Sequence, residues 1–378
     1  MTHCCRARGV CHVIGSFHFR HSLDTLPSLR FVHDFSKCRY LEAFVTAPDP
    51  SNELMQMINW YQVSQALHVA ATLGVADHLK DGPKPYDIVA RTCGAHPASL
   101  YRLLRALAAV GVFRETSNKE FSLTPLGACL ASDAPGSRRN YARWIGTPGQ
   151  WQSWGNLLHC IKSGESAAEY THGKDAWTYR RQHPEEQAIF NDAMTGNSRS
   201  ESRAVIEAYD FSRFGCIVDV AGGQGLLLKD ILLACPSVRG VLFDQPDVIA
   251  SARQLPTELA RRCQFVAGSF FEAVPPNGDA YLMKAILHDW DDAKSIEILR
   301  TCRRAMSPTA ALIVIERVVG PPNESPDGKF SDLNMMVQYA GLERTLQGFN
   351  DLLVDGGFEL VEVVPTRSPM SIIVGKPV

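Results

Sequence analysis

A glycine-rich turn and a histidine define the chemistry open to this chain. Val218-Asp219-Val220-Ala221-Gly222-Gly223-Gln224-Gly225 is an apolar run that meets an acid and then a cluster of glycines. It reads as a strand turning into a helix. Glycine has no Cβ, so the backbone N–H groups of such a turn can approach a ligand closely. A second apolar run, Ala280-Tyr281-Leu282-Met283, leads into Leu287-His288-Asp289-Trp290-Asp291-Asp292. In a parallel α/β sheet both runs end on the same edge, where ligands bind. A nucleotide-sized cofactor and a general base would then face one another. His288 is the candidate base among the 12 histidines, because it alone follows a strand at that edge. An imidazole with pKa ~6.5 can take a proton from a hydroxyl as its oxygen attacks.

Nicotinamide enzymes also use a glycine-rich first turn, with the fingerprint G-x-G-x-x-G. Here Gly223-Gln224-Gly225 runs into Leu226, Leu227 and Leu228, so the third glycine is missing. The next apolar run, Val241-Leu242-Phe243, ends at Asp244, where a carboxylate can accept hydrogen bonds from ribose hydroxyls. That acid is common to both cofactor classes.

The ordered set resembles one family, the S-adenosylmethionine-dependent small-molecule O-methyltransferases of the caffeate/acetylserotonin type, from about residue 52 onward. The matching stretches are the glycine turn, Phe243-Asp244-Gln245-Pro246, Gly268-Ser269-Phe270-Phe271, Lys284, His288-Asp289-Trp290, Glu316 and Gly341-Leu342-Glu343-Arg344-Thr345. The resemblance implies that S-adenosylmethionine is held by Asp219, Ala221, Gly223, Gly225, Asp244, Gln245, Ser269, Phe270 and Lys284. It implies His288 as general base, oriented by Glu316 and Glu343. Its acceptor would be a small hydroxylated metabolite, aromatic or polyketide-like, lined by Trp151, Phe190, Met194, Asp289, Asn334 and Met335. Two positions depart from the family. Ala221 stands where glycine is usual, which matters only if the backbone there needs φ > 0. Ser269 stands where the family has aspartate, leaving a hydroxyl but no charge.

Asp289, Asp291 and Asp292 are read as caps of the following helix, where acids complement the positive end of the dipole. A metal bound by His288 and these acids would imply the metal-dependent catechol methyltransferases. Chain length, the N-terminal architecture and the glutamate pair argue against that, so no metal is expected. An N- or C-methyltransferase, or a relative that does other chemistry, would carry the same loop and base.

The elements that must position these residues follow from periodicity. Ile217–Val220, Val241–Phe243, Cys263–Val266, Ala280–Met283 and Leu312–Ile315 are short apolar runs, as buried parallel strands should be. The tail from Phe358 reads as a hairpin. The expected fold is α/β, a doubly wound Rossmann-like sheet with an antiparallel edge. Upstream, Trp60, Val63, Leu67, Ala70 and Leu73 recur near the helical period, and a helix from Pro97 precedes two alternating runs, Val112–Arg114 and Glu120–Leu123. Helix, helix and hairpin describe a winged helix. A DNA-reading regulator is the competing reading, but the candidate recognition helix carries only Arg102 and Arg105, without a basic face. The resemblance instead implies homodimerisation through this domain. Expected boundaries are 1–50 extension, 51–200 helical domain and substrate lid, and 201–378 cofactor-binding domain.

Composition bounds the partners. The 378 residues carry a net charge of −2 with histidines neutral, which disfavours nucleic acid. No apolar run approaches the ~20 residues that span a bilayer. The 11 cysteines include no C-x-x-C pair and fit reduced thiols in the cytoplasm. Residues 1–50 are arginine-rich and acid-poor. They read as a transit peptide, a His3/Cys4/Cys5/Cys11/His12 metal site, or, the favoured reading, a disordered extension ahead of Met55 or Met57.

Overall fold

The computed structural model describes residues 49–252 and 257–378. The expectations for the N-terminal extension therefore lie outside the described residues, apart from its last two positions.

The five apolar runs form parallel strands: β4 (Cys216–Val220), β5 (Arg239–Asp244), β6 (Cys263–Ala267), β7 (Ala280–Lys284) and β8 (Ala311–Arg317). The tail gives β9 (Phe358–Pro365) and β10 (Met370–Pro377), with β10 antiparallel to both β8 and β9. Sheet order is β6-β5-β4-β7-β8-β10-β9. The chain thus winds outward from β4 through β5 and β6, then returns to the other side through β7 and β8. β4 and β7 are neighbours at the point of reversal, where the crevice of an open α/β sheet lies.

Alternation along each strand feeds two cores. Ile217, Leu242, Leu282, Ile313 and Ile315 pack with Leu228 and Ile231 of the helix Leu226–Ala234. Val218, Val220, Tyr281, Met283, Leu312 and Val314 pack on the other face with Ile298 and Leu299 of the helix Asp292–Ala305, and with Phe349 and Leu353 of the helix Leu346–Gly356. Asp219 occupies a place in this alternation where an apolar residue would otherwise sit.

Upstream lie the helices Pro50–Thr72, Tyr86–Cys93 and Pro97–Ala109 and three short strands: β1 (Lys84–Pro85), β2 (Phe113–Glu115) and β3 (Glu120–Leu123). The strands pair in the order β1-β3-β2, so a short third strand joins the expected hairpin. Leu79, Leu100, Leu104, Leu107, Phe113 and Phe121 form their core. The first helix departs from its expected packing. Ala70 and Ala71 are buried, but Trp60 is 60% exposed, and Leu54, Met57, Ile58 and Tyr61 are exposed beside it.

Short helices fill residues 139–182, followed by the long helix Pro184–Ala208. That helix packs on the helix Arg139–Ile145 and on Leu226–Ala234, and residue 200, the expected domain boundary, falls inside it. The seven cysteines among the described residues are free thiols. No described helix is long and apolar enough to cross a membrane.

Candidate active site

After β4 the backbone turns through left-handed conformations at Ala221 (φ 56°), Gly223 (φ 58°) and Gly225 (φ 71°). Ala221 thus meets the condition under which its Cβ costs energy. The turn is anchored by Ala221 N–H donating to the Phe243 carbonyl at 2.8 Å. At Gly222 a Cβ would come 2.4 Å from Asp219 Oδ2 and 2.5 Å from Leu242 Cδ1, so this glycine is required by space. Asp244 closes the next strand: its Oδ2 accepts from Gly223 N–H at 2.8 Å and its Oδ1 from Gln245 N–H at 2.7 Å. The Gln245 side chain is exposed.

Asp219 is 2% exposed and its Oδ2 has no hydrogen-bond partner. Burial, and then the Asp244 carboxylate, push its pKa up to about 7, with Lys284 opposing. Burial also raises Asp244, against its two backbone hydrogen bonds. A buried carboxylate oxygen without a donor is costly, and here it lies under the turn. This arrangement fits a ligand bringing hydroxyl donors and positive charge, as S-adenosylmethionine does.

Lys284, at the end of β7, lies 2.6 Å from Glu201 Oε2 and donates to Ser198 Oγ at 3.3 Å, both on the long helix. Ser269 Oγ accepts from Phe271 N–H at 3.3 Å. Phe270 belongs to an aromatic trio with Phe271 and Trp290, which joins the cofactor edge to the histidine segment.

His288 sits in a short 3-10 turn, Leu287–Asp289. Glu316, fully buried at the end of β8, accepts the N–H groups of Ile286 and Leu287 through Oε1, each at 2.9 Å. On the other side, the His288 carbonyl accepts from Leu342 N–H at 2.9 Å, and a Cβ at Gly341 would come 2.1 Å from that carbonyl oxygen. Buried Arg344 completes the clamp, donating to the Leu287 carbonyl at 2.8 Å and the Trp290 carbonyl at 2.9 Å.

The ring is bracketed by acids. His288 Nδ1 lies 3.2 Å from Glu316 Oε2 and 3.4 Å from Glu343 Oε1. Glu343 Oε1 also accepts from Ser331 Oγ at 2.7 Å. Asp289 Oδ1 lies 3.6 Å from Nε2. Burial disfavours the imidazolium, but Glu316, Asp289 and Glu343 outweigh it and lift His288 to about 10. Burial raises Asp289 to about 6. The His288, Glu316 and Glu343 donor atoms all lie within 4.8 Å of one another, a spacing that would also suit a metal ion.

The capping expectation for three aspartates is corrected at Asp289. Asp291 is the N-cap, accepting from Lys294 N–H at 2.8 Å, and Asp292 lies in the first turn, so only Asp289 departs from the expectation. Asp292 accepts from Arg344 Nε at 2.9 Å. Asp289 belongs to the 3-10 turn, so its carboxylate meets the histidine ring instead of the helix end.

On the acceptor side, Phe190 and Met194 share the long helix. Asn334 Oδ1 accepts from Gln150 Nε2 at 2.8 Å and Trp154 Nε1 at 3.0 Å. Met335 is buried and Trp151 half-buried. Sequence reasoning missed Arg180, which is 6% exposed. It donates to the Tyr339 hydroxyl at 3.1 Å and faces the rings of Phe190 and Trp177 at 4.2 Å and 4.5 Å. The roles of Arg344, which clamps the histidine turn, and of Glu201, which pairs with Lys284, are likewise visible only in the fold.

Comparison with known proteins adds to this geometry. The model of an O-methyltransferase domain matches residues 154–359, and that of an O-methyltransferase dimerisation domain matches residues 55–133. Phenazine O-methyltransferase PhzM of Lysobacter antibioticus is 43% identical over 330 residues, covering 87% of this chain and 96% of the relative. Phenazine-1-carboxylate N-methyltransferase of Pseudomonas aeruginosa is 31% identical, covering 83% and 93%. The O-methyltransferase NcsB1 of neocarzinostatin biosynthesis has been solved with S-adenosylmethionine and 2-hydroxy-5-methyl naphthoic acid. It aligns with a TM-score of 0.74 at 32% identity, covering 84% of this chain and 96% of that one.

Proposed function

The chain belongs to the S-adenosylmethionine-dependent O-methyltransferases, and within that activity we propose that it methylates a hydroxyl of a fused-ring aromatic metabolite, with His288 as general base. The observation carrying this reading is the polarity of the His288 ring. Nδ1 faces Glu316 and Glu343, which fixes the ring angle and favours a proton on that nitrogen. Nε2 has the Asp289 carboxylate beside it at 3.6 Å and is the nitrogen left to address an acceptor.

Asp219, Asp244, Lys284 and the backbone of the glycine turn would hold the cofactor, which supplies an electrophilic methyl group on sulfonium and its own leaving group. The chain's remaining tasks are orientation and proton removal. A phenol has pKa ~10, and the acids that raise His288 bring its proton affinity toward that of the phenolate, so it is a stronger base once it has lost its resting proton. The glutamates hold the imidazolium that results. The fused-ring acceptor rests on the phenazine and naphthoate relatives and on the aromatic residues Phe190, Trp177 and Tyr339. N-methylation is the second reading, favoured by the phenazine-1-carboxylate relative. The exposed face of the first helix supports a homodimer, and the free thiols support a cytoplasmic setting.

Incubating the protein with S-adenosylmethionine and hydroxylated or aminated phenazines and naphthalenes tests this. Formation of the methyl ether with S-adenosylhomocysteine supports it; methylation only at nitrogen turns it to the second reading. Turnover should be unchanged by excess chelator. Loss restored by a divalent metal would reassign His288, Glu316 and Glu343 as ligands.

A further inference from the structure

No carboxylate among the described residues lies within 4 Å of the buried Arg180 guanidinium, and the counter-charge that acts on it is Asp289, beside the His288 ring. One guanidinium nitrogen donates to Tyr339, while Nε and Nη2 have no partner. Its faces are covered by rings: Phe190 at 4.2 Å, Trp177 at 4.5 Å and Tyr339 at 5.3 Å. Glu186 lines the same small cavity but accepts from Gly149 N–H and the Tyr179 hydroxyl. Gln338, 3% exposed, lines the cavity too and leaves Nε2 without a partner. The unmet groups here are therefore all donors, and one bears full positive charge.

Rings attract a cation but give it nothing to donate to, and Asp289 acts on this charge from beyond contact, so two buried donors of a charged group stay without an acceptor, which is costly. A water molecule could accept from two of these donors without neutralising the charge. An anionic group would meet both needs, and a carboxylate matches the guanidinium fork. We propose that Arg180, with Gln338 beside it, recognises a carboxylate carried by the methyl acceptor, so that the substrates of this protein are aromatic hydroxy acids. This rests on the reading of the acceptor site above. Phe190 ties the two together, because it packs on Arg180 from the helix that also bears Met194.

The test compares 3-hydroxy-2-naphthoate with its uncharged primary carboxamide, titrated into full-length protein saturated with S-adenosylhomocysteine. The acid should bind at least ~10-fold tighter than the amide. Arg180→Gln should abolish that preference and Arg180→Lys should keep part of it, with S-adenosylhomocysteine affinity unchanged in both. Equal binding of acid and amide by the unaltered protein, or binding of neither while S-adenosylhomocysteine binds, overturns the proposal whether or not the variants fold. So does thermal stabilisation by acetate at Arg180 without any acid-over-amide preference, which would mark a separate anion site. Failure of the acid to be methylated despite preferential binding counts against the proposed reaction, not against this recognition.

Discussion

His288, half-buried, and Arg180, buried, both favour positive charge inside this fold, and they are built in opposite ways. Three carboxylates surround the histidine, and their combined charge raises its proton affinity until it overcomes burial. The arginine is surrounded by three rings and two of its donors stay unmet. A group meant to gain and lose a proton needs partners that hold it steady through both states. A group meant to hold a ligand needs room for the ligand's own charge. On the reading proposed above, the contrast separates the group that moves a proton from the group that selects what is bound.

The most severe way to probe the contrast is His288→Ala. It should lower kcat by ~10² to 10⁴ while leaving affinities for S-adenosylhomocysteine and acceptor near their starting values; Arg180→Gln should act mainly through acceptor affinity. Steady-state kinetics with calorimetry would show the split. Normal turnover in His288→Ala would remove the histidine from the mechanism and dissolve the comparison.

Asp219 extends it to a third buried charge, this time an acid. Its folded-state pKa of about 7 lies above an unfolded value of ~3.9, so the folded protein binds this proton more tightly. The stability from this group is full below pH ~4 and is lost as pH rises toward 7. With each unit worth ~1.4 kcal/mol, the loss approaches roughly 4 kcal/mol. Asp219→Asn should therefore be more stable than the parent at pH 8, with the difference shrinking toward pH 4, and should bind S-adenosylmethionine more weakly. Denaturant melts across pH would measure it. A pH-independent difference would mean the carboxylate is satisfied in the folded chain.

Glu316→Gln sharpens the histidine half. In the parent, kcat/KM should rise with pH toward about 10, because the base must first lose its proton. Removing the largest of the acidic contributions should move that rise at least one pH unit lower. The amide oxygen can still accept from Ile286 and Leu287, so the turn is expected to survive. An unmoved profile would mean that another group controls it.

The sheet and its reactive edge were legible because they are local. Five apolar runs, a glycine turn and a histidine after a strand are contiguous in sequence, and winding rules narrow the strand orders open to them. The acids around His288 were read through resemblance, since nothing local says that Glu316 and Glu343 converge on one ring. Where neighbours look alike, sequence is a weaker guide: of three aspartates in four residues, Asp291 and Asp292 sit at the helix start while Asp289 turns to the histidine ring. Trp60 shows a different limit. Periodicity reveals an apolar face but not whether the chain's own core covers it. Arg180 and Tyr339 are 159 residues apart and belong to no motif, so their pairing exists only in the fold.

The smallest expected effect concerns Ala221, where the donor site departs from its family. A left-handed non-glycine residue stores ~1–2 kcal/mol, and Ala221 has φ 56°. Glycine would relieve that strain but add ~0.4–1 kcal/mol of chain entropy to the unfolded state, leaving Ala221→Gly more stable by roughly 0.5–1 kcal/mol. Calorimetry would detect that as a rise of a few degrees at most. Affinity for S-adenosylmethionine should change little, since the turn already holds its shape through the Phe243 carbonyl. Tighter binding would mean that the Cβ itself obstructs the ligand. The donor end would then be strained as well as charged, and the two ends of the site less alike than their buried charges suggest.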